Sequence, residues 1–457
     1  MLQEPLLLEL TQLENRHSIS YYRQDCMYLG GVAPLSYQHK REGPEMRAPI
    51  THDEPNRSTN WTIPDHVPAN LVQFLDFRTG LGSCPHARIA EFHKGPPVFY
   101  SPVGHQDRGG ESNGTWILTK AADIRTMLQE AQLFSSAQPR SHAMGESWRL
   151  IPLEVDPPEH ALFRAPLNPL LSPKRIKELE PELREMAGEL IDKIKDRGEC
   201  EFIRDFGEQY PVRIFLRLLG LPDTELQKFR SWADTIIHDR KNRGKAMAEV
   251  KGFVEEQIAL RRKDPREGEL VTQVLNMKAG DRPFTDEEAM GMVFLLFIGG
   301  LDTVVSSLSF HFRHLAENPQ DQKRLRDDPA MIPDAVEEMF RAYAVVTTAR
   351  FANADTDMFG VPIKKGDMVT GSTLLSTSDP DEFENPGLVD IARNPNRHNA
   401  FSFGPHRCVG SHLARREIQV AIDEWNKRIP EFRVKPGAEI ETLGGGVMGI
   451  KELPLVW

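Results

Sequence analysis

A chain of 457 residues with 39% hydrophobic content can bury a sizeable core, as one large helical domain or two to three of average size. Its net charge of −11 argues against nucleic acid as a bulk partner. The four cysteines (Cys26, Cys84, Cys200, Cys408) form no C-x-x-C pair, which excludes an evident zinc motif and points to a reducing compartment.

Residues 1–62 are polar and mixed and read as a loosely ordered extension, with Thr51–Ser58 as linker and Met46 as an alternative start. Met1-Leu2-Gln3-Glu4-Pro5 lacks a basic signal-peptide region. The longest apolar run, Met292 to Ile298, is far short of the ~20 residues of a membrane span, so a soluble cytoplasmic protein is expected. From Ile63 the text is denser and reads as a single domain to 457. Trp116-Ile117-Leu118 reads as a strand and Ala121 to Glu130 as a short helix. Asp156-Pro157-Pro158 opens a helix with prolines where their missing N–H groups are tolerated. On it His160 and Arg164, four apart, share a face that can hold two acidic groups of a ligand. A solvated helix face is the plainer alternative.

Helical stretches follow at 173–196, 208–219, 223–240 and 244–262, and after a charged break another runs to about Met277. Thr285-Asp286-Glu287-Glu288 is a capping box that starts a helix over about 285–317, apolar on all sides and therefore central. Inside it Gly299 and Gly300 each cost about 1 kcal/mol relative to alanine. Asp302 costs more there unless it is satisfied. Either the glycines allow close helix packing, or they open a groove where a small molecule sits beside the acid and the hydroxyl of Thr303. Glu338 and Arg341 can pair on a helix that begins near Pro333, and strand-like text follows at 350–352, 358–363 and 365–369. An irregular stretch, 379–400, leads to Phe401-Ser402-Phe403-Gly404-Pro405-His406-Arg407-Cys408-Val409-Gly410 and a helix. A cysteine before a helix feels unpaired amides and the positive end of the dipole, which favour the thiolate. A buried structural cysteine is the alternative.

The loop Phe401-x-x-Gly404-x-x-x-Cys408-x-Gly410 resembles the cysteine-ligand loop of cytochromes P450. His160-x-x-x-Arg164, Gly299-Gly300-x-Asp302-Thr303 and Glu338-x-x-Arg341 stand in that family's order. Asp156-Pro157-Pro158, His412-Leu413-Ala414-Arg415-Arg416-Glu417 and the ending Leu453–Trp457 are similar to bacterial class I members of the camphor 5-monooxygenase family. The resemblance covers residues 63–457. It implies a mainly α fold with small β-sheets, holding haem b (iron protoporphyrin IX) between a long central helix and the cysteine-ligand helix. Cys408 would be the thiolate axial ligand, with Gly299, Gly300 and Phe401 beside the haem. Arg164, Arg350 and His406 would hold the propionates with His160 assisting, and Asp302 and Thr303 would activate oxygen. Glu338 and Arg341 would be structural.

The implied activity is monooxygenation by a monomer, using O₂ and electrons from NADH through a ferredoxin reductase and a [2Fe–2S] ferredoxin steered by Arg164 and Arg407. The expected substrate wall is Trp148, Leu153, Leu295, Ile298, Val346 and Val447. The family's aspartate two residues before the propionate arginine is Thr348 here. The tyrosine for the camphor ketone falls at Trp148, and a threonine falls at Leu153. These departures favour ionone-like norisoprenoids and cineole-like monoterpenoids over camphor. A haem-thiolate binding protein without turnover, or a peroxygenase or isomerase, would have less need of Asp302 and Thr303.

Overall fold

The computed structural model describes residues 20–21, 63–77, 85–103, 114–137, 148–239 and 241–457. The extension expected over 1–62 lies outside the described residues except for Ser20–Tyr21, which pair with Leu388–Val389. The helices are α1 (Pro85–Phe92), α2 (Ala121–Gln129), α3 (Glu159–Leu167), α4 (Pro173–Asp192), α5 (Gln209–Leu219), α6 (Leu226–His238) and α7 (Arg243–Lys263). They continue with α8 (Leu270–Leu275), α9 (Asp286–Leu301), α10 (Thr303–Glu317), α11 (Pro319–Asp327), α12 (Ile332–Ala342), α13 (Thr373–Thr377) and α14 (Ser411–Arg428).

The apolar spacing located most of these elements to within a few residues. The central helix differs, because it is two helices that meet at Asp302, whose φ of −119° leaves the helical range. Side chains serve the carbonyls freed at the joint. Arg230 donates to the Leu301 carbonyl at 2.9 Å, and Thr303 Oγ1 donates to that of Gly299 at 3.1 Å. The capping box at Thr285 and Glu288 forms as expected. α9 and α10 together are apolar enough to cross a membrane by composition, but the protein's own core covers most of their surface.

α14 makes the most extensive helix–helix contact of the fold, along α4. At its end Trp425 is fully buried, its ring 5.1–5.7 Å from those of Phe202, Phe206, Phe312 and Phe432. A five-stranded sheet has the order Val98–Ser101, Thr115–Leu118, Met368–Ser372, Thr347–Ala352, Phe134–Ser135. Thr115–Leu118 runs parallel to Met368–Ser372, and the other neighbours are antiparallel. The strand expected at 358–363 is reduced to one bridge, Thr356 to Ile363, because Gly360 turns the chain at φ +74°. Nor does a strand start at 365: Gly366 has φ +91° and the Asp367 carboxylate takes the Lys364 amide. This sheet delivers Arg350 to the site.

Candidate active site: a cavity between α9–α10 and the cysteine loop

A cavity of about 590 Å³ lies between the α9–α10 joint, the segment 344–350, the loop 400–410 and the start of α14. Cys408 opens onto it. The loop around the cysteine is held by its own backbone: the Cys408 amide donates to the Phe401 carbonyl at 2.9 Å, and Arg407 to that of Gly404 at 3.1 Å. Gly404 sits at φ +68°, and a Cβ there would fall 2.5 Å from the Leu128 carbonyl oxygen, so both conformation and space require glycine. Phe401 lies between the Arg415 guanidinium, 4.2 Å from its ring, and the Phe340 ring at 4.6 Å.

Burial pushes the Cys408 thiol up, and the Gly410 amide, Arg164, Arg415 and Arg407 only partly counter it. The Gly410 amide at the helix start and the three cations thus act in the direction expected, without outweighing burial. Metal coordination, which strips the proton from a ligating thiol, would supply what the helix start does not.

On the far wall Gly299 and Gly300 behave differently. A Cβ at Gly299 meets nothing within 4 Å, so this residue opens the helix face to the cavity. A Cβ at Gly300 would lie 2.4 Å from the Phe215 ring, so this one admits close packing by α5. Thr303 lines the cavity. Asp302 is buried behind it and pairs with Arg230 at 3.2 Å, while Arg230 also binds Glu208 at 3.0 Å. Arg230 was not foreseen. Its signal is a cation between Phe229 and Trp232 on α6, opposite an aspartate that needed a partner.

The side of the cavity beneath segment 344–350 is cationic. His160 on α3 and His406 in the cysteine loop stand edge to face, ring centres 4.5 Å apart. Both are short of partners: the buried Nε2 atom of each makes no hydrogen bond. Arg350 is buried, and its Nη1 donates to the neighbouring Ala349 carbonyl. Arg164 reaches Asn168 Oδ1 at 2.7 Å and the Arg407 carbonyl. Among the described residues, neither arginine has a carboxylate within ion-pair distance. Burial, reinforced by Arg164, lowers His160 to about 4, and burial lowers Arg350 to about 10, with Asp156 the one acid opposing each shift. Such a set of buried and half-buried donors calls for an anion from outside the chain.

The expected substrate wall comes together except at one position. Leu295, Ile298, Val346 and Val447 line the cavity, and a backbone bridge joins Val346 to Val447. Leu153 lines it too but is 42% exposed, so it sits at the rim rather than in the wall. Trp148 is not among the lining residues. Its ring packs on Phe294, 4.9 Å centre to centre, and the Arg149 carbonyl abuts Gly291 so closely that a Cβ there would lie 2.1 Å away. That contact fixes segment 148–149 against α9, leaving Leu150 and Ile151 on the wall in its place. Thr348 also lines the cavity.

Glu338 and Arg341 are fully buried and joined at 2.7 and 2.8 Å. Arg341 donates to the carbonyls of Thr377, Pro386 and Leu388, and Glu338 receives Asp390 N, Arg393 and Asn396. This pair holds the irregular stretch that leads into the cysteine loop.

The cytochrome P450 family model matches residues 212–442. The chain is 41% identical over 405 residues to a protein described as probable cytochrome P450 127A1 of Sinorhizobium fredii, covering 86% of this chain and 97% of that one. The chain belongs to the cytochrome P450 family. Among solved structures, CYP101J2 is 34% identical with a TM-score of 0.77, over 87% of this chain and 99% of that one. CYP101C1 is 33% identical with a TM-score of 0.78, over 87% and 100%. This P450 is a monooxygenase that carries haem b on a cysteine thiolate. The site fits that group. Among the described residues one cysteine opens onto the cavity, the helix opposite is bare at Gly299, and the cationic side suits two propionates.

Proposed function

We propose that this P450 hydroxylates a compact apolar terpenoid or norisoprenoid in the cytoplasm, with O₂ and electrons passed from NADH through a reductase and a [2Fe–2S] ferredoxin. The observation that carries the substrate reading is the apolar wall of Leu295, Ile298, Val346 and Val447, set in the same cavity as Cys408 and Thr303. Burial of rings against it supplies affinity at about 25 cal/mol per Å². Among the described residues no tryptophan lines the cavity, so the orientation of a substrate ketone would rest on shape and on the hydroxyls of the lining rather than on an indole donor. A methylene discriminates by only ~1–3 kcal/mol in such a wall, and several related substrates are expected.

Cys408 would ligate the iron, and His160, Arg164, Arg350 and His406 would hold the propionates. Haem with a thiolate ligand supplies oxygen binding and O–O cleavage. In the chain itself, Thr303 would hold a proton at Oγ1 on the cavity face, and Asp302 would supply it from behind once its carboxylate exchanges Arg230 for a proton. Arg164 and the exposed Arg407 flank the cysteine side, where an acidic ferredoxin would dock. The test is a ligand panel read by the haem spin-state shift and by product per NADH. Ionone-like and cineole-like ligands should give the larger shifts. Camphor outperforming every one of them would overturn the substrate reading.

A further inference from the structure

Among the described residues, five charged side chains line the cavity. Arg164 and Arg350 belong to the cationic side that suits the propionates. Glu154 accepts the Leu150 amide at 2.8 Å, closing its own turn. Glu417 stands on α14, the helix after the cysteine loop, and is 1% exposed. The fifth is Arg243, which has no part in the haem-binding side.

Arg243 is the first residue of α7 and is half-buried. Its Nε donates to the carbonyl of Ile236, in the last turn of α6, at 2.7 Å. That bond ties the guanidinium back across the α6–α7 turn, and Ile236 itself lines the cavity. Both helices pack on α9. The side chains that α5, α6 and α9 bring to the lining are Phe215, Ile236, Leu295, Leu296 and Ile298, all apolar. Arg243 thus enters from the apolar helices, whereas the propionate side is carried by α3, the sheet and the cysteine loop.

A cation in such a setting costs free energy that an anion of matching shape recovers. Burial draws Arg243 down from its ordinary 12.5, yet a guanidinium stays charged at neutral pH. Its planar fork matches the two oxygens of a carboxylate, which it holds through parallel N–H···O bonds. We propose that Arg243 is a specificity-determining residue that binds a carboxylate on the substrate, so that the preferred substrates are terpenoid or norisoprenoid acids with an apolar body and one anionic end. The wall of Leu295, Ile298, Val346 and Val447 takes the body, and the α6–α7 turn holds the acid. A ketone leaves orientation to shape and hydroxyls; a carboxylate on Arg243 fixes one end of the molecule and so limits which carbon faces the oxygen-activating side. No bond is made or broken in this step.

The inference rests on the apolar-wall reading of the proposed function, and the experiment separates the two. Perillic acid and β-ionylideneacetic acid, their methyl esters, and the uncharged parents limonene and β-ionone would be titrated into the holoenzyme. Kd would be read from the haem spin-state shift and checked by calorimetry, for the wild type, Arg243→Leu and Arg243→Lys. In the wild type at least one acid should bind at least about tenfold more tightly than its ester. Arg243→Leu should remove that preference, with esters and parents held within about threefold, and Arg243→Lys should keep an intermediate preference. Acids no tighter than their esters in the wild type, an acid preference that survives Arg243→Leu, or all ligands weakened together by Arg243→Leu would each overturn the proposal. If esters and parents bind while the acids do not, the Arg243 role falls and the apolar wall stands. Acids that bind through Arg243 while the parents give no shift would uphold Arg243 and refute apolar burial as the source of affinity. If no ligand of the three kinds binds, both readings fall.

Discussion

The two adjacent glycines of α9 should respond to the same substitution with opposite signs. Alanine at Gly299 meets no atom within 4 Å, so the ordinary helix preference of about 1 kcal/mol for alanine over glycine should appear as a gain. Alanine at Gly300 gains the same preference but drives a methyl to 2.4 Å from the Phe215 ring. Overpacking of that kind costs about 1–3 kcal/mol, so the net change should run from neutral to a loss of about 2 kcal/mol. Phe215→Leu should relieve Gly300→Ala and do nothing for Gly299→Ala. The assay is guanidinium unfolding followed by circular dichroism, reading the midpoint at unchanged slope. Gly299→Ala should also weaken the spin shift of bulky ligands, since its methyl stands on the cavity wall. If Gly300→Ala is as stable as Gly299→Ala, the assignment of one glycine to packing and the other to the cavity is wrong.

Cys408→Ser should abolish the thiolate-haem band of the reduced, CO-bound protein, and a variant that keeps the band would refute the ligand assignment. Arg164→Ala should slow electron transfer from ferredoxin more than it weakens ligand binding, because Arg164 serves the cationic side of the cavity and flanks the exposed Arg407; stopped-flow reduction rates equal to wild type would refute this. Burial raises the Glu337 carboxyl, but the bonds from His398 and Arg415 outweigh it and bring it from its ordinary 4.5 to about 2. A depressed carboxylate stabilises the fold above its unfolded value and loses that contribution as pH falls through the folded one. Glu337→Gln should therefore lower the unfolding midpoint at pH 7, and the gap to wild type should close between pH 4.5 and 2.

Much of this was legible in the sequence because it was local. Apolar spacing located the helices, and the motif residues Cys408, Thr303, Arg350 and His406 stand around one cavity. What the sequence hid depends on contacts between distant segments. Arg230 lies 72 positions from the aspartate it pairs with, and its hold on the Leu301 carbonyl is part of what splits a helix that looked continuous. The resemblance to the camphor 5-monooxygenase family puts Trp148 on the wall, whereas a backbone contact at Gly291 decides where it goes. Glu417 reads as one charge among Arg415, Arg416 and Glu424 on a polar helix face; only burial sets it apart.

The stretch 379–400 has little regular structure, yet it behaves as a rigid strut. Five bonds along it go to Glu338 or Arg341, whose helix is part of the core, and Asp379, Glu382, His398 and Asn399 are tied to Ala121, Arg125, Glu337 and Ser376. Its shape is thus stored in side-chain bonds to the core, with Glu338 and Arg341 at their centre, more than in its own backbone pattern. The sequence of the strut is free to drift wherever it makes none of these bonds, while its amide at Asp390 should exchange with solvent as slowly as those of α12. The cysteine loop inherits that stiffness, so the position of the sulfur is set by an ion pair that lies outside the cavity wall.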